Sequence, residues 1–433
     1  MRKELRNYGM VLGVLALAFT VRLVLAENLF EARSNSEGRL VVHEWGTFTS
    51  VAGADGAALE WRPLAGPSDL PSFVHTTSRL SDLRRRGPGL RYGLDRTTGA
   101  GGKGTIIATV RMETPVLYFY SDRERVVSVR VGFPQGQVTE WYPRARSVRD
   151  GIDWGTVRIV PGVDPAFPCE KDESHYYPAR ETGAAPVRVC MAEGYEGEPE
   201  FEKFLFYRGV GTFDLPLEVR LDPEARGVYV TNTGDTALRP MLVYERRGAE
   251  AGVCLLNTWP LEPRPVEPPP GPTHAAPGNA YAERPSLGDA AAAVRRAEES
   301  IRTVLLEEGL YPREVEAMLA TWRDSWFEEG LRVFYILPRS ATDSILPLEI
   351  DPAPAETVRV LVGRVEIVTP EKEREILDAV EGLSSHVIEV REAAGTALRR
   401  HGRFAEPTLR RALERSTDPE VRSRLEAVLQ AGE

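Results

Sequence analysis

The sequence predicts a mainly β protein with added helix: an antiparallel β-sandwich body, in one or two sandwiches, followed by a C-terminal HEAT-like array of α-helical hairpins. Three observations point there. In the first half, Val127, Val129, Val131 and Phe133 alternate with Ser128, Arg130 and Gly132, the period of two that marks a half-buried strand. Eight prolines then fall between Pro260 and Pro277, a tract that cannot donate ladder hydrogen bonds and stays extended. Near the end, Glu389-Val390-Arg391 returns as Glu420-Val421-Arg422, 31 residues on.

In chain order, Arg2, Lys3 and Arg6 precede the apolar run Met10 to Thr20, and Val24-Leu25-Ala26 stands before Glu27. That is the layout of a signal peptide over residues 1–26, with an uncleaved membrane anchor over 7–26 as the alternative. A β-sandwich domain is expected over 38–165, with strands near 40–50, 105–111, 115–120, 127–133, 137–142 and 153–160. A second β block covers 166–258, read as an immunoglobulin-like unit or an extension of the first. In it Leu217, Val219 and Leu221 alternate with Glu218 and Arg220, and Thr233-Gly234-Asp235 turns the chain. The proline-rich strap is 259–284.

Residues 285–368 read as mixed. Ser286 and Asp289 resemble a capping box for a helix with Val294, Ala297, Ile301, Val304 and Leu305 on one face. Gly309 ends it. A second helix carries Val315, Met318, Leu319, Trp322 and Trp326, and these two tryptophans read as core. The apolar runs beginning at Leu331 and Val358 are buried strands that could complete an earlier sheet. In 369–433, Thr369-Pro370 and Asp418-Pro419 are helix starts with proline at the first helical position. Helix pairs this thin should pack on the body or on a protein partner.

A chain of 433 residues exceeds one ordinary core. Its net charge of −10 offers no basic stripe for phosphates, so nucleic-acid binding is not expected. Cys169 and Cys190 either close a disulfide loop of about 20 residues, stabilising by roughly 3 kcal/mol, or all three cysteines, Cys254 included, are buried free thiols. The run Gly99 to Gly104 lacks the Ser or Thr of a phosphate loop and precedes a strand. No GxSxG elbow is present. His386 and His401 read as capping or surface residues.

The candidate catalytic residues are His43, Glu44, Glu113 and Glu140. In LVVHEWGTFTS, His43 and Glu44 are strand neighbours and point to opposite faces unless a bulge at Gly46 intervenes. A Glu44 on an apolar face needs a cation, and Arg111, Arg208 and Arg332 are the candidates. Glu140-Trp141-Tyr142 echoes Glu44-Trp45. Carboxylates beside aromatic rings suit a sugar, with Trp45, Trp141, Tyr142 and Arg208 as binding residues, or acid–base work on a glycosidic bond. The same pattern also arises from cross-strand pairs. Asp172, Glu173 and His175 are weak metal-ligand candidates without EF-hand or HExxH spacing.

HEWGTFTS, EKFLFYRGVG at 202–211 and DSWFEEGLRVFYILPR at 324–339 resemble a group of exported bacterial proteins that carries no assigned activity. The resemblance implies export and a β-rich body and transfers no catalytic residue. The functional expectation is therefore an exported binding or scaffolding protein of the cell envelope, periplasmic or extracellular. A secreted, glycan-directed hydrolase around His43, Glu44 and Glu140 is the rival.

Overall fold

A computed structural model describes residues 38–64, 70–77, 91–92, 106–170, 174–189, 198–256, 260–264, 278–401 and 403–431. The N-terminal apolar segment, the Gly99–Gly104 run, Asp172, Glu173, Cys190 and most of the proline tract lie outside them. The first strands are β1 (Val41–Ala52), β2 (His75–Thr76), β3 (Arg91–Tyr92), β4 (Ile106–Ile107) and β5 (Val110–Tyr120). Next come β6 (Arg125–Gly132), β7 (Gly136–Tyr142), β8 (Ser147–Arg149), β9 (Gly151–Ile159), β10 (Val187–Val189) and β11 (Glu200–Glu202). They are followed by β12 (Leu205–Gly211), β13 (Leu217–Leu221), β14 (Gly227–Asn232), β15 (Arg239–Arg247) and β16 (Glu250–Leu255). After the strap lie β17 (Asn279–Glu283), β18 (Gly288–Asp289), α1 (Ala290–Glu307), α2 (Pro312–Trp326) and β19 (Gly330–Ile336). The body closes with α3 (Arg339–Ile345), β20 (Leu348–Asp351) and β21 (Glu356–Ile367). The tail is α4 (Pro370–Gly382), α5 (Ile388–Arg400), α6 (Glu406–Arg415) and α7 (Pro419–Ala431).

The centre is a ten-stranded sheet in the order β18-β16-β15-β19-β21-β1-β5-β12-β7-β2. One face packs on a six-stranded sheet built around β9 and β6 and on a three-stranded sheet of β13, β14 and β17. Val42, Phe48, Met112 and Leu361 meet Val127, Val129, Val157, Val219 and Val230 across this sandwich. The other face takes α1 and α2, with Val41, Trp45, Tyr118 and Val360 against Ala297, Ile301, Met318, Trp322 and Trp326. The architecture is thus three layers, and β1 is buried on both faces along its whole length.

Two expectations are corrected. The central sheet is not wholly antiparallel: β1 runs parallel to β21 over its full twelve residues, while its other neighbour, β5, is antiparallel. The parallel pair is the seam between two antiparallel sets of strands, β16-β15-β19-β21 and β1-β5-β12-β7. Helix α1 starts later than a cap at Ser286 would place it. Asp289 is its N-cap and accepts a hydrogen bond from the Ala292 amide at 2.7 Å, because a carboxylate one residue before the helix reaches the free amides directly.

Segments 38–165, 166–258 and 285–368 all give strands to the central sheet. Segment 166–258 is spread over three sheets, with β10 and β11 in one, β13 and β14 in another, and β12, β15 and β16 in the centre. The alternation read in β6 holds, since Val127, Val129 and Val131 are buried while Ser128 and Arg130 are exposed. In α2, the whole predicted stripe from Val315 to Trp326 is buried, each large side chain contributing about 1.5–3 kcal/mol of hydrophobic stabilisation. Among the described residues no helix is long and apolar enough to cross a membrane.

The tail is two helical hairpins sharing a core of Ile376, Leu383, Ala394, Leu398, Leu409, Val421 and Leu425. Thr369 caps α4 and accepts from the Lys372 amide at 3.2 Å. The tail docks on the body where β1 ends. Trp61 lies 5.8 Å from Phe404, ring to ring, and Arg62 Nη2 donates to the Leu429 carbonyl at 2.6 Å.

Gly46 sits where the β1–β5 register shifts, opposite Thr114 and Pro115. Thr114 adopts φ +48°, and Pro115 has no amide to donate. A Cβ on Gly46 would stand 2.9 Å from Pro115 Cα and 3.1 Å from Leu361 Cδ1. The Pro115 backbone cannot retreat inside a closed sheet, and the Leu361 side chain is packed in the core. Gly46→Ala should therefore cost about 1–3 kcal/mol, the usual penalty for overpacking; an unchanged denaturant midpoint would contradict the close approach.

Candidate ligand cleft

The four catalytic candidates fall in separate, braced positions. Glu44 faces the sandwich core. Tyr207 Oη donates to its Oε1 at 2.5 Å and Arg359 Nε to its Oε2 at 2.5 Å. Both side chains of the ion pair are 0% exposed. Arg359 is the cross-strand partner of Glu44 in the parallel ladder, so the cation is Arg359 rather than Arg111, Arg208 or Arg332. Its Nη1 also donates to Asp343 Oδ1 at 2.7 Å. Burial alone would lower the Arg359 pKa, but Glu44 and Tyr207 outweigh it and hold the guanidinium above its ordinary range. Burial, then the Glu44 charge, raises Tyr207 well above the usual phenol value.

His43 faces the helices. Its Nδ1 donates to Glu314 Oε2 at 2.7 Å, and the same oxygen accepts from the Tyr311 amide at 2.7 Å. Glu314 therefore caps α2 and ties it to the sheet in one contact. The His43 ring lies 4.3 Å from Tyr311 and 5.3 Å from Tyr120. Trp45 is fully buried beside Tyr118, 5.9 Å away, so no ligand reaches its face while the core is closed.

Glu113 and Glu140 lie in a buried polar layer that crosses the helix-facing side of the sheet beyond α2. Glu113 meets Arg111 at 3.4 Å. Glu140 accepts from Thr139 Oγ1 at 2.6 Å and stands opposite Arg208 in register. Arg208 Nη2 donates to Thr114 Oγ1 at 3.4 Å. On the other side of β1 the layer continues as Arg364, which donates to Glu366 at 2.5 Å and Glu328 at 2.7 Å. Arg332 Nε lies 2.8 Å from the same Glu366 oxygen. Burial, with Arg364 adding to it against the pull of Glu366, lowers Arg332 to about 10.

Trp141 and Tyr142 lie beside His75, with ring separations of 6.2 and 5.8 Å. His75 Nε2 is 3.0 Å from Glu200 Oε1, and the Arg144 amide donates to Glu200 Oε2 at 2.6 Å. Nothing in the sequence around His75 or Glu200 marks this pair. His175 is half-buried, and among the described residues no group of three or more His, Cys, Asp or Glu side chains is arranged to hold a metal ion. Cys169 is a free, exposed thiol.

The open space lies elsewhere. A cleft of about 600 Å³ forms between the end of β1, the start of β13, the Thr233–Asp235 turn and α3. Its acidic groups are Asp214, Glu218 and Asp235, and hydroxyls come from Ser50, Thr233 and Ser344. Phe213 gives it a ring, held edge-on against Phe48 and Phe133 at 6.0 and 6.1 Å. Among the described residues no lysine, arginine or histidine lines it. A second cavity of about 840 Å³ adjoins it through Ser340, whose Oγ is 3.0 Å from Thr236 Oγ1. Arg239 and Arg339 line this second space, paired with Glu308 and Asp343. Both volumes fall in the range of small-molecule sites. Hydroxyls, carboxylate acceptors and one aromatic face, with no cation to demand a negative ligand, suit a neutral polyhydroxyl compound. Sequence reasoning missed this cleft because its walls come from segments far apart in the chain.

No family model matches the chain, and no curated protein matches it.

Glu44→Gln should cost about 3–5 kcal/mol by denaturant unfolding, because it leaves Arg359 buried beside a neutral partner. Glu44→Gln with Arg359→Met should recover part of that loss; additive losses would contradict the pairing. Burial raises Glu200, yet the bonds from His75 and the Arg144 amide bring its pKa below the ordinary value. Its ionised form therefore stabilises the fold above the unfolded pKa of about 4.3, and this is lost as pH falls through the lower folded value. Glu200→Gln should flatten the decline of stability on the acid side, measured as melting temperature against pH.

Proposed function

We propose that this chain is an exported binding or scaffolding protein of the cell envelope, with a glycan or similar polyhydroxyl ligand in the cleft and a protein partner on the helical tail. The observation that carries the reading is the cleft of about 600 Å³ with its hydroxyls, acceptors and Phe213 ring. Sugars are held by this combination: hydroxyls pair with carboxylate and hydroxyl oxygens, and the apolar ring face packs on an aromatic side chain. Export rests on the sequence, where Arg2, Lys3 and Arg6 precede the Met10–Thr20 run. Retention by an uncleaved segment over residues 7–26 is the alternative placement.

Binding is favoured over hydrolysis by the condition of the four candidate groups. A general acid or nucleophile must reach the substrate, yet His43, Glu44, Glu113 and Glu140 are each 3% exposed or less. Each is also held by a neighbour, and none lines the cleft.

A glycan array followed by calorimetric titration tests the reading. Binding of a neutral saccharide without release of new reducing ends is expected, with Phe213→Ala and Asp214→Asn each weakening it about ten-fold, the equivalent of 1.4 kcal/mol. Turnover, or affinity untouched by both substitutions, would overturn it.

A further inference from the structure

We propose that the end of the first tail hairpin, around Val390, is a docking surface for a basic amphipathic helix of a partner protein. This rests on the reading of the tail as the partner-facing part and adds the place and the chemistry. Among the described residues eight large apolar side chains are exposed, and Leu377, Val387, Ile388 and Val390 are four of them. Half of the exposed apolar groups thus fall in one short stretch of a long chain. Such clustering on a surface marks an interface rather than chance exposure.

The repeat shows what belongs there. The spacing of 31 residues sets Val390 on Val421, Ala394 on Leu425 and Leu398 on Leu429. Val421 is 7% exposed and belongs to the shared tail core. α7 lies against the turn that follows α4, where Arg424 Nη1 donates to the Leu383 carbonyl. Val390 holds the same position in α5 and is 45% exposed. The stack is therefore closed on the α7 side and open at α5, and a helix would continue the α5–α7 packing outward. The body meets the tail at the start of α4, where Glu371 pairs with Arg284 and Lys372 with Glu329, and through Phe404, Glu406 and the Leu429 carbonyl, leaving Val387, Ile388 and Val390 exposed.

Charge selects the helix. Asp378, Glu381, Glu389 and Glu392 are exposed on the two arms, against Arg374, while Glu375 lines a space shared with Arg246, Arg247 and Arg284 of the body. Arg391 is turned inward and donates to the Ser385 carbonyl at 2.8 Å. An apolar strip with an acidic rim is complementary to an apolar strip with basic flanks. A second copy of this chain would bring the same acidic rim and be repelled.

The full-length protein is titrated with two short synthetic amphipathic helices, one of Leu and Lys and one of Leu and Glu, by fluorescence anisotropy. The Lys helix should bind at least about ten-fold tighter, and the charge-neutral Val390→Ser and Ile388→Ser should each weaken its binding about ten-fold. Leu306→Ser, at an exposed apolar site on α1, should leave it intact. Equal binding of both helices, or equal loss in the Leu306 variant, overturns the proposal. So does a wild-type dimer that Val390→Ser converts to monomer. A photoreactive group on the Lys helix should label residues near 390. Labelling confined to α6 or α7 overturns this placement while leaving the tail reading intact; no labelling anywhere in the tail overturns both.

Discussion

The parallel ladder between β1 and β21 is the constraint on which the rest of the molecule depends. It joins strands whose paired residues are about as far apart as the body allows, with Glu44 and Arg359 separated by 315 positions. Hydrophobic burial alone fixes its register poorly, because β1 and most of β21 are buried on both faces and a slipped strand would still be buried. The Glu44–Arg359–Tyr207 contact removes that freedom: a shift of one residue would bury an unpaired carboxylate and an unpaired guanidinium. Their net contribution to stability is small, since desolvation offsets most of the attraction, but their contribution to choosing one register is large. His43 does the same in the other direction by tying the helix layer to this strand through the α2 cap.

The buried polar layer extends the same logic across the sheet. Arg332, Glu366 and Arg364, with half-exposed Glu328, lie on one side of β1, and Arg111, Glu113, Arg208 and Glu140 lie buried on the other. Arg332, Glu366, Arg364 and Glu328 form one run of ion pairs, Arg111 pairs with Glu113, and Glu140 and Arg208 bond to Thr139 and Thr114, so the layer resists deformation. The cleft sits at the rim of this braced region, where β1 ends and α3 and β13 supply walls. A ligand site bordered by rigid elements loses little ordering entropy on binding.

How much of this the sequence carried depended on where the determining contacts lie. Period-two strands such as β6 and β13, the α2 stripe and the Thr369 and Asp418 starts were legible because each is set by neighbours a few residues away. β1 was recognisable as a strand, but its pairing was not, since nothing near Glu44 points to Arg359. Reading Glu44 as a carboxylate that needs a cation was sound physics; choosing which cation required the topology. The parallel pairing escaped for the same reason. The strands expected at 105–111 and 115–120 meet in one continuous β5, Val110–Tyr120, because a bulge at Thr114 and Pro115 carries the ladder through. The cleft and the His75–Glu200 pair were invisible, being made by long-range apposition of residues that look ordinary in line.

The late arrival of β21 has a bearing on how the chain is made. Until residues 356–367 leave the ribosome, β1 lacks one of its two neighbours and presents an open apolar edge, and the sheet cannot close from local pairings. Such an intermediate is the state in which self-association is most dangerous. The helical tail follows immediately and covers the foot of the finished ladder, so its emergence doubles as a seal on a sheet completed moments before.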